Sequence, residues 1–429
     1  MPEIPSVDPA HQLPPAVRER LALNFEDPAS PEGAALGRTF VAGSVSDAGG
    51  ITTPGAVVKI GPEGAIPDDV GTAGIVGGGA DDYENVIGGI IANVNTPASN
   101  IPPDGPGTGG GALTAPDGNW NWVWGGYDNV VNGWACQVHG YHCKVDVGAN
   151  HITIAGGSIH TIDAGVAYGT IGGGTRNQCS ASYATISGGA ESVASGLYST
   201  IGGGYSHSVT QRSATVAGGE QNDATATYAT IGGGLSNGAS GSAATVAGGQ
   251  SNVASGPHSF VTGRDNTASQ EATVATGRGA SASVPGERAH SSSVFATQGD
   301  AQHRQFVMRR QTTDATPTAL FANAAGTSPM LMPADTTWAF RALVSARRTD
   351  ADNESAGYKI EGAVDRNATA STIAFVGTPT VTVLGEDNAG WDCAISVNTS
   401  NGALVITVTG ETSKTVRWVA VVDVAQVTG

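Results

Sequence analysis

Carboxylates, a cysteine–histidine cluster and a row of tryptophans are the residues of this chain whose types and spacing could do chemistry. Asp81 and Asp82, Glu386 and Asp387, and the trio Asp350, Asp352 and Glu354 supply paired acids. Glycoside hydrolysis uses two carboxylates roughly 5–9 Å apart. No Ser/His/Asp order and no phosphate-cradling glycine loop accompanies them. Cys136, His139, His142 and Cys143 crowd into eight residues. Their spacing fits no zinc motif, and His142 and Cys143 would point opposite ways on a strand. A structural role, a Cys136–Cys143 bridge, or an ion held where several chains converge are the alternatives. Trp120, Trp122 and Trp124 share one strand face, with Trp134 close behind. Such rings stack on apolar sugar faces when exposed, or plug a core when packed.

Whatever positions these groups is repetitive. From Ile154 the chain repeats through Ile171, Ile186, Ile201, Val216, Ile231, Val246, Val261 and Ala275, at intervals of 17, six times 15, and 14. A fixed short period marks a solenoid, whose turns bury their apolar face only by stacking. Two residues before each anchor stands a small residue (Ala184, Ser199, Ala214, Ala229, Ala244, Ser259). Six after it stand Asn177, Asn222, Asn237 and Asn252, with Ser192 and His207 as exceptions; eight after it come Cys179, Ala194, Val209, Ala224, Ala239 and Ala254. Alternation along a strand places each of these sets on the inner face and predicts a hydrogen-bonded asparagine ladder. The glycine pair after each anchor marks a corner needing positive φ. Repeated glycines and β-branched anchors exclude helix. One large apolar side chain per turn is a lean core, so the small residues are expected to pack against neighbouring copies.

The run 170–282, clearest in Tyr-Ala-Thr-Ile-Gly-Gly-Gly-Leu-Ser-Asn-Gly-Ala-Ser-Gly (228–241), resembles the head repeat of trimeric autotransporter adhesins, with relatives in bacteriophage fibres. The resemblance implies a left-handed parallel β-roll shared by three chains. The family's repeat is slightly shorter, and its Val-Ala-Ile-Gly becomes Thr-Ile-Gly-Gly here. An exported adhesin needs a signal, but Met1–Asp8 has no basic and apolar leader and no 18-residue apolar run exists. A phage fibre, made in the host cytoplasm, needs none.

Among 429 residues, 63 are glycine without collagen's period, and a net charge of −17 without a basic stripe argues against nucleic acid and membrane insertion. Four cysteines are too few for a disulfide scaffold; Cys179, at an alanine position of the repeat, and Cys393, alternating with Trp391 and Ile395, read as core. Residues 1–40 are proline-rich and are assigned to virion attachment. Residues 41–150 form an irregular start of the roll with insertions, 151–282 the regular roll, and 283–304 a connector.

Residues 305–429 alternate apolar and polar over long runs, with Asn401-Gly402 as a hairpin signal, and predict a β-sandwich knob. Asp335–Phe340 and Ala346–Ser355 are similar to a terminal domain of marine phage tail fibres. The expected whole is all-β: a homotrimeric virion tail fibre that adheres to a host surface glycan or protein without enzymatic activity. No cofactor or resident metal is expected. A capsid decoration fibre and a polysaccharide depolymerase tailspike are the alternatives. Receptor contacts are expected at two polar tips, Asp350, Asp352 and Asn353 in one and Glu386, Asp387 and Asn388 in the other. The first has also the readings of a solvated turn or a calcium loop.

Overall fold

The computed structural model describes residues 129–429 apart from 324, 352 and 353, and before them the strands Val58–Ile60, Ile75–Gly77 and Trp122–Val123. The attachment segment 1–40, Asp81 and Asp82, and the side chains of Trp120, Trp122 and Trp124 lie outside the described residues. The chain divides into two units, Met1–Tyr198 and Ser199–Gly429.

In the first unit every turn gives one two-residue strand to each of two parallel columns. One column runs from Val130–Val131 through Lys144–Val145, Thr161–Ile162 and Gln178–Cys179 to Val193–Ala194. The other runs from Trp122–Val123 through Gln137–Val138, Thr153–Ile154 and Thr170–Ile171 to Thr185–Ile186. The fold is a parallel β-solenoid, as the period requires. From Val130–Val131 onward each strand leaves its first residue partly or fully exposed and buries its second, so the anchors Ile154, Ile171 and Ile186 are wholly inside.

The second unit begins with the same section: Thr200–Ile201, Thr215–Val216, Thr230–Ile231, Thr245–Gln250, Phe260–Arg264, Val274–Arg278 and Arg288–Ser291 stack in one column. The asparagines point inward as parity predicts, and form a ladder. Asn222 Oδ1 accepts from Asn237 N at 2.9 Å, Asn237 Oδ1 from Asn252 N at 3.0 Å, and Asn252 Oδ1 from Asn266 N at 3.1 Å. Each Nδ2 donates to a carbonyl of its own turn and a glycine carbonyl of the next, as Asn222 does to Gly218 and Gly234 and Asn266 to Thr262 and Gly277. His207 fits the same ladder, its Nδ1 accepting from Asn222 N at 3.2 Å, and His160 does so for Asn177 in the first unit.

Two expectations need revising. The small residues were to be covered by other copies, but Ala184, Ala214, Ala229 and Ala244 are completely buried within the single chain. Asparagine amides and close backbone approach fill the coil, so these residues give no reason for a trimer. The glycine pairs also supply only one corner. Gly204 has φ +101°, and a Cβ there would meet the Gly219 carbonyl at 2.2 Å. The remaining turns of the backbone are made by non-glycine residues in the left-handed region: Ser213, Gln221, Tyr228, Ser236, Ala243, Ser251 and His258, with φ between 52° and 60°. That conformation costs of order 1 kcal/mol for an L-residue, and the stacked hydrogen bonds hold it.

The terminal part of the second unit has seven long strands: β1 Ala301–Thr312, β2 Thr336–Arg348, β3 Ser355–Arg366, β4 Thr380–Glu386, β5 Asp392–Asn398, β6 Ala403–Thr409 and β7 Val416–Thr428. An antiparallel sheet runs β1–β7–β2–β3–β4. A smaller sheet pairs β5 with β6, joined by the hairpin at Asn401-Gly402, with Thr318–Ala319 and Met330–Leu331 on the other side of β6. Alternation buries Trp338, Phe340, Ala342 and Val344 of β2 and Trp418, Ala420 and Val422 of β7. Trp391, Leu404 and Ile406 belong to the same core.

No free connector separates this part from the solenoid turns of its unit. Arg288–Ser291 is the last solenoid strand, and it pairs antiparallel with β1. Beneath the junction Arg304 and Glu287, both essentially unexposed, form an ion pair: Arg304 Nη2 donates to Glu287 Oε2 at 2.9 Å and Nε donates to Oε1. Glu287 also accepts from the backbone of Ser283 and Val284, while Arg304 donates to Gln426. A buried pair needs this complete satisfaction, because desolvation alone costs several kcal/mol per ion.

Candidate functional site

The two polar tips expected to contact a receptor come together at one end of the terminal sheets, with a third loop that the sequence did not single out. Arg348, at the end of β2, donates to Asp350 Oδ1 at 2.8 Å and to Glu354 Oε2 at 3.2 Å. Lys414 donates to Glu354 Oε1 at 2.8 Å and pairs with Glu411 at 2.5 Å. Asn388 donates to the same Glu411. Asp387 accepts from the backbone and hydroxyl of Ser355 at 2.8 and 2.9 Å, and Glu386 accepts from Tyr358 Oη at 3.0 Å. Thus Asp350 and Asn388 belong to one network with Arg348, Glu354, Lys414 and Glu411, while Glu386 and Asp387 bond separately to Tyr358 and Ser355 of β3. Asp352 and Asn353 lie outside the described residues.

The electrostatics follow from these partners. The Arg348 hydrogen bond holds the Asp350 carboxyl below the usual range, Lys414 does the same for Glu354, and Lys414 with Asn388 for Glu411. Burial raises the Tyr358 phenol, and its bond to Glu386 adds to the effect. Asp350, Glu354 and Glu411 thus face the internal cations Arg348 and Lys414, which clamp this part of the rim. No three His, Cys, Asp or Glu among the described residues are grouped to hold a metal ion.

Cys136 and Cys143 are buried thiols, not a bridge; they donate to the Trp134 and Tyr141 carbonyls. Burial raises the Cys136 thiol to about 11 and lifts Cys143 as well. His142 occupies a corner with φ 52°, its ring edge-on to Tyr141 at 4.1 Å.

The first unit carries a pair that the sequence reading missed. Val145 pairs with Ile162, so Asp146 and Asp163 follow at equivalent places on successive turns. Lys144 holds Asp146 at 2.8 Å, and Gln178 Nε2 donates to both oxygens of Asp163 at 3.0 and 2.9 Å. The signal was available, because Asp146 and Asp163 are 17 residues apart, like Ile154 and Ile171.

Along another edge of that unit His151, Tyr168, Tyr183 and Tyr198 stack at 4.7, 5.0 and 4.8 Å, with Trp134 edge-on to His151 at 4.7 Å. Although exposed, the inner rings offer their faces to one another and only their edges to solvent. A sugar needs a free face to stack, so this column works as a staple between turns.

No protein-family model matches the sequence, and no curated protein matches it. Among solved structures the chain is similar to tailspike protein gp49 of Acinetobacter baumannii bacteriophage Fri1, a capsular polysaccharide depolymerase, at 8% identity and a TM-score of 0.21. That match covers 70% of this chain and 63% of the other. The tailspike of A. baumannii phage AM24 gives 8% and 0.21, covering 70% and 58%, and that of Acinetobacter phage vB_ApiP_P1 gives 9% and 0.16, covering 74% and 80%. This chain therefore spans less than two thirds of the first two. Likeness this slight transfers no residue role. The expectation of a protein without enzymatic activity is corrected on this chain's own geometry: Asp146 and Asp163 stand in register on successive turns of the solenoid, a pair of carboxylates that the exclusion did not weigh.

Proposed function

We propose that this chain is a tail component of a phage virion that binds polysaccharide on the host surface. The observation that carries the reading is the union, within the second unit, of stacked solenoid turns with a terminal two-sheet domain. Strand pairing of Arg288–Ser291 to β1 and the Arg304–Glu287 pair join them. A stiff support ending in loops locked by ion pairs suits the display of a contact surface. Contacts are assigned to the Asp350, Glu386, Asp387 and Asn388 rim and, on the sequence alone, to Asp352 and Asn353, with residues 1–40 as the virion attachment. Assembly as a homotrimer belongs to the proposal, because several weak glycan contacts on one support gain by effective concentration.

A second reading, cleavage of that polysaccharide, is favoured by the Asp146/Asp163 pair. Successive turns lie about 4.8 Å apart, near the separation of about 5 Å used by retaining glycosidases. Both readings are tested by incubating the protein with a panel of purified bacterial capsular polysaccharides, measuring binding by interferometry and new reducing ends by colorimetry. Retention of at least one capsule supports the binding reading, and no retention across the panel overturns it. Reducing ends that appear with the wild type and vanish in Asp146→Asn and Asp163→Asn establish cleavage at that pair. Cleavage untouched by either substitution moves it elsewhere.

A further inference from the structure

We propose that Phe295 is the platform of a sugar-binding subsite, its ring stacking on the apolar face of one residue of a polysaccharide. The inference rests on the polysaccharide reading above and adds a place and a mode of contact. Phe295 lies in the segment 292–300, which links the last solenoid strand, Arg288–Ser291, to β1. At 79% exposure it is the most exposed large apolar side chain among the described residues.

The loop that carries it is braced. The buried Asp300 carboxylate accepts from the backbone N–H groups of Phe295 at 2.9 Å, Ala296 at 2.6 Å and Thr297 at 2.7 Å. Gln298 Nε2 donates to the Asp265 carbonyl at 2.6 Å and to Thr267 Oγ1 at 3.0 Å, which ties the loop to the solenoid turns of its unit. Gly299 N donates to the Gly279 carbonyl at 2.7 Å, and the Gly299 carbonyl accepts from Gln426 of β7. Val294 is half-buried, its Cγ1 only 2.2 Å from where a Cβ on Gly279 would stand, so the glycine makes room for it. Ordering a loop costs chain entropy, yet the largest side chain of this one stays in water. Folding gains nothing from an exposed phenyl ring. Binding does gain, because a loop fixed beforehand loses less freedom when a ligand arrives.

The surroundings select the ligand. Tyr168 and Tyr183 use their faces on each other, whereas no ring or guanidinium among the described residues lies against Phe295. Ser292, Ser293 and Thr297 are exposed beside it, and their hydroxyls make no hydrogen bond among the described residues. No charged side chain lies between 292 and 299. A sugar residue matches this arrangement, with one C–H face for the ring and hydroxyls along its edge for the serines and the threonine. Protein partners instead anchor on clustered, shielded hot spots, and this loop exposes a single large apolar group. One stack is weak, but a polymer repeats its sugar, and repeated contacts gain through effective concentration.

The test uses the full-length chain, with the capsular panel and three neutral oligosaccharides, maltohexaose, cellohexaose and chitohexaose, as probes. Wild type should bind at least one of them. Phe295→Ala should weaken that binding roughly tenfold, the scale of one aromatic stack. Phe295→Trp should keep or strengthen it, and Phe295→Leu, apolar but without a ring, should not restore it. Melting of all three variants should match wild type, because the side chain is exposed. Capsule binding that Phe295→Ala leaves unaltered, or that Phe295→Leu keeps in full, overturns this inference and leaves the polysaccharide reading standing. Ring-dependent binding of an oligosaccharide, with no capsule retained, does the reverse. Failure to bind any probe overturns both. A light-scattering mass that falls in Phe295→Ala while sugar binding is intact makes the ring a contact between copies, and also overturns the inference.

Discussion

Replacing Asn237 by leucine tests what holds successive turns together. The Asn237 carboxamide accepts from Asn252 N at 3.0 Å and Asn252 Nδ2 at 3.1 Å, and donates to the Gly233 and Gly249 carbonyls at 3.0 and 2.9 Å. Leucine has similar volume but makes none of these bonds. Gly249 O keeps its bond from Leu235 N, and Asn252 Nδ2 keeps Gly248 and Gly263. The Asn252 N–H and the Gly233 carbonyl lose these ladder partners in a dry interior. Each stranded group costs about 1–3 kcal/mol, and the extra apolar burial returns at most about 2 kcal/mol, so the net loss should be centred on about 2 kcal/mol. Tyr228→Ala removes a half-exposed ring while leaving a left-handed corner that alanine adopts at similar cost; its effect should stay within about 0.5 kcal/mol. Chemical denaturation followed by circular dichroism gives the ranking. Hydrogen exchange should show faster opening confined to peptides near 233–252 in the leucine variant. If Tyr228→Ala is the more damaging change, the interior ladder is not what joins the turns.

Acidification should weaken the solenoid from the histidines first. Burial lowers the His207 and His160 pKa values from 6.5, so the unfolded chain takes protons that the folded chain refuses. Stability is full above about pH 6.5 and falls as pH drops below it, and His207→Asn should reduce that slope in pH-dependent melting. The Asp350, Glu354 and Glu411 contribution, present above their unfolded values, is lost only at lower pH, so the two phases separate. Burial raises Cys179 to about 11 and Cys393 to about 12; a thiol reagent at pH 8 should label no cysteine in the native chain and all four after unfolding. Arg304→Met alone should cost about 3–5 kcal/mol by stranding Glu287, whereas Arg304→Met with Glu287→Leu should recover most of it. The proposed trimer predicts a light-scattering mass near three times 42.8 kDa; a stable monomer with intact β signal would count against it.

Parity made the solenoid legible. A two-residue strand buries one side chain, so the positions of Ile231, Asn237 and Ala239 fixed the inside before any coordinate was needed. The terminal sheets were legible for the same reason, since Trp338 to Val344 alternate without interruption. Corners escaped because left-handed conformations at Tyr228 or Ser213 leave no compositional mark; the residue is paid for by hydrogen bonds in neighbouring turns. Closure within one chain escaped because alanine looks like unfilled space until the asparagine amides are placed beside it. The contact rim was legible as two acidic tips, but not the ion pairs that Arg348 and Lys414 make with Asp350, Glu354 and Glu411, which depend on which loops meet.

The corner residues of the second unit have a consequence for how such a chain can change. At Ser213, Tyr228, Ala243 and His258 the backbone is set by its neighbours and the side chain leaves the coil. Four unlike residues therefore occupy one conformation, with φ between 53° and 60°. Identity at these places is nearly uncoupled from folding. Successive turns carry them as a strip of independently variable positions, while the isoleucine, asparagine and alanine inside stay fixed. A lineage pressed to follow a changing surface could rewrite that strip one residue at a time without crossing an unfolded intermediate. A combinatorial library at the same four positions would sample new surfaces on an unaltered frame.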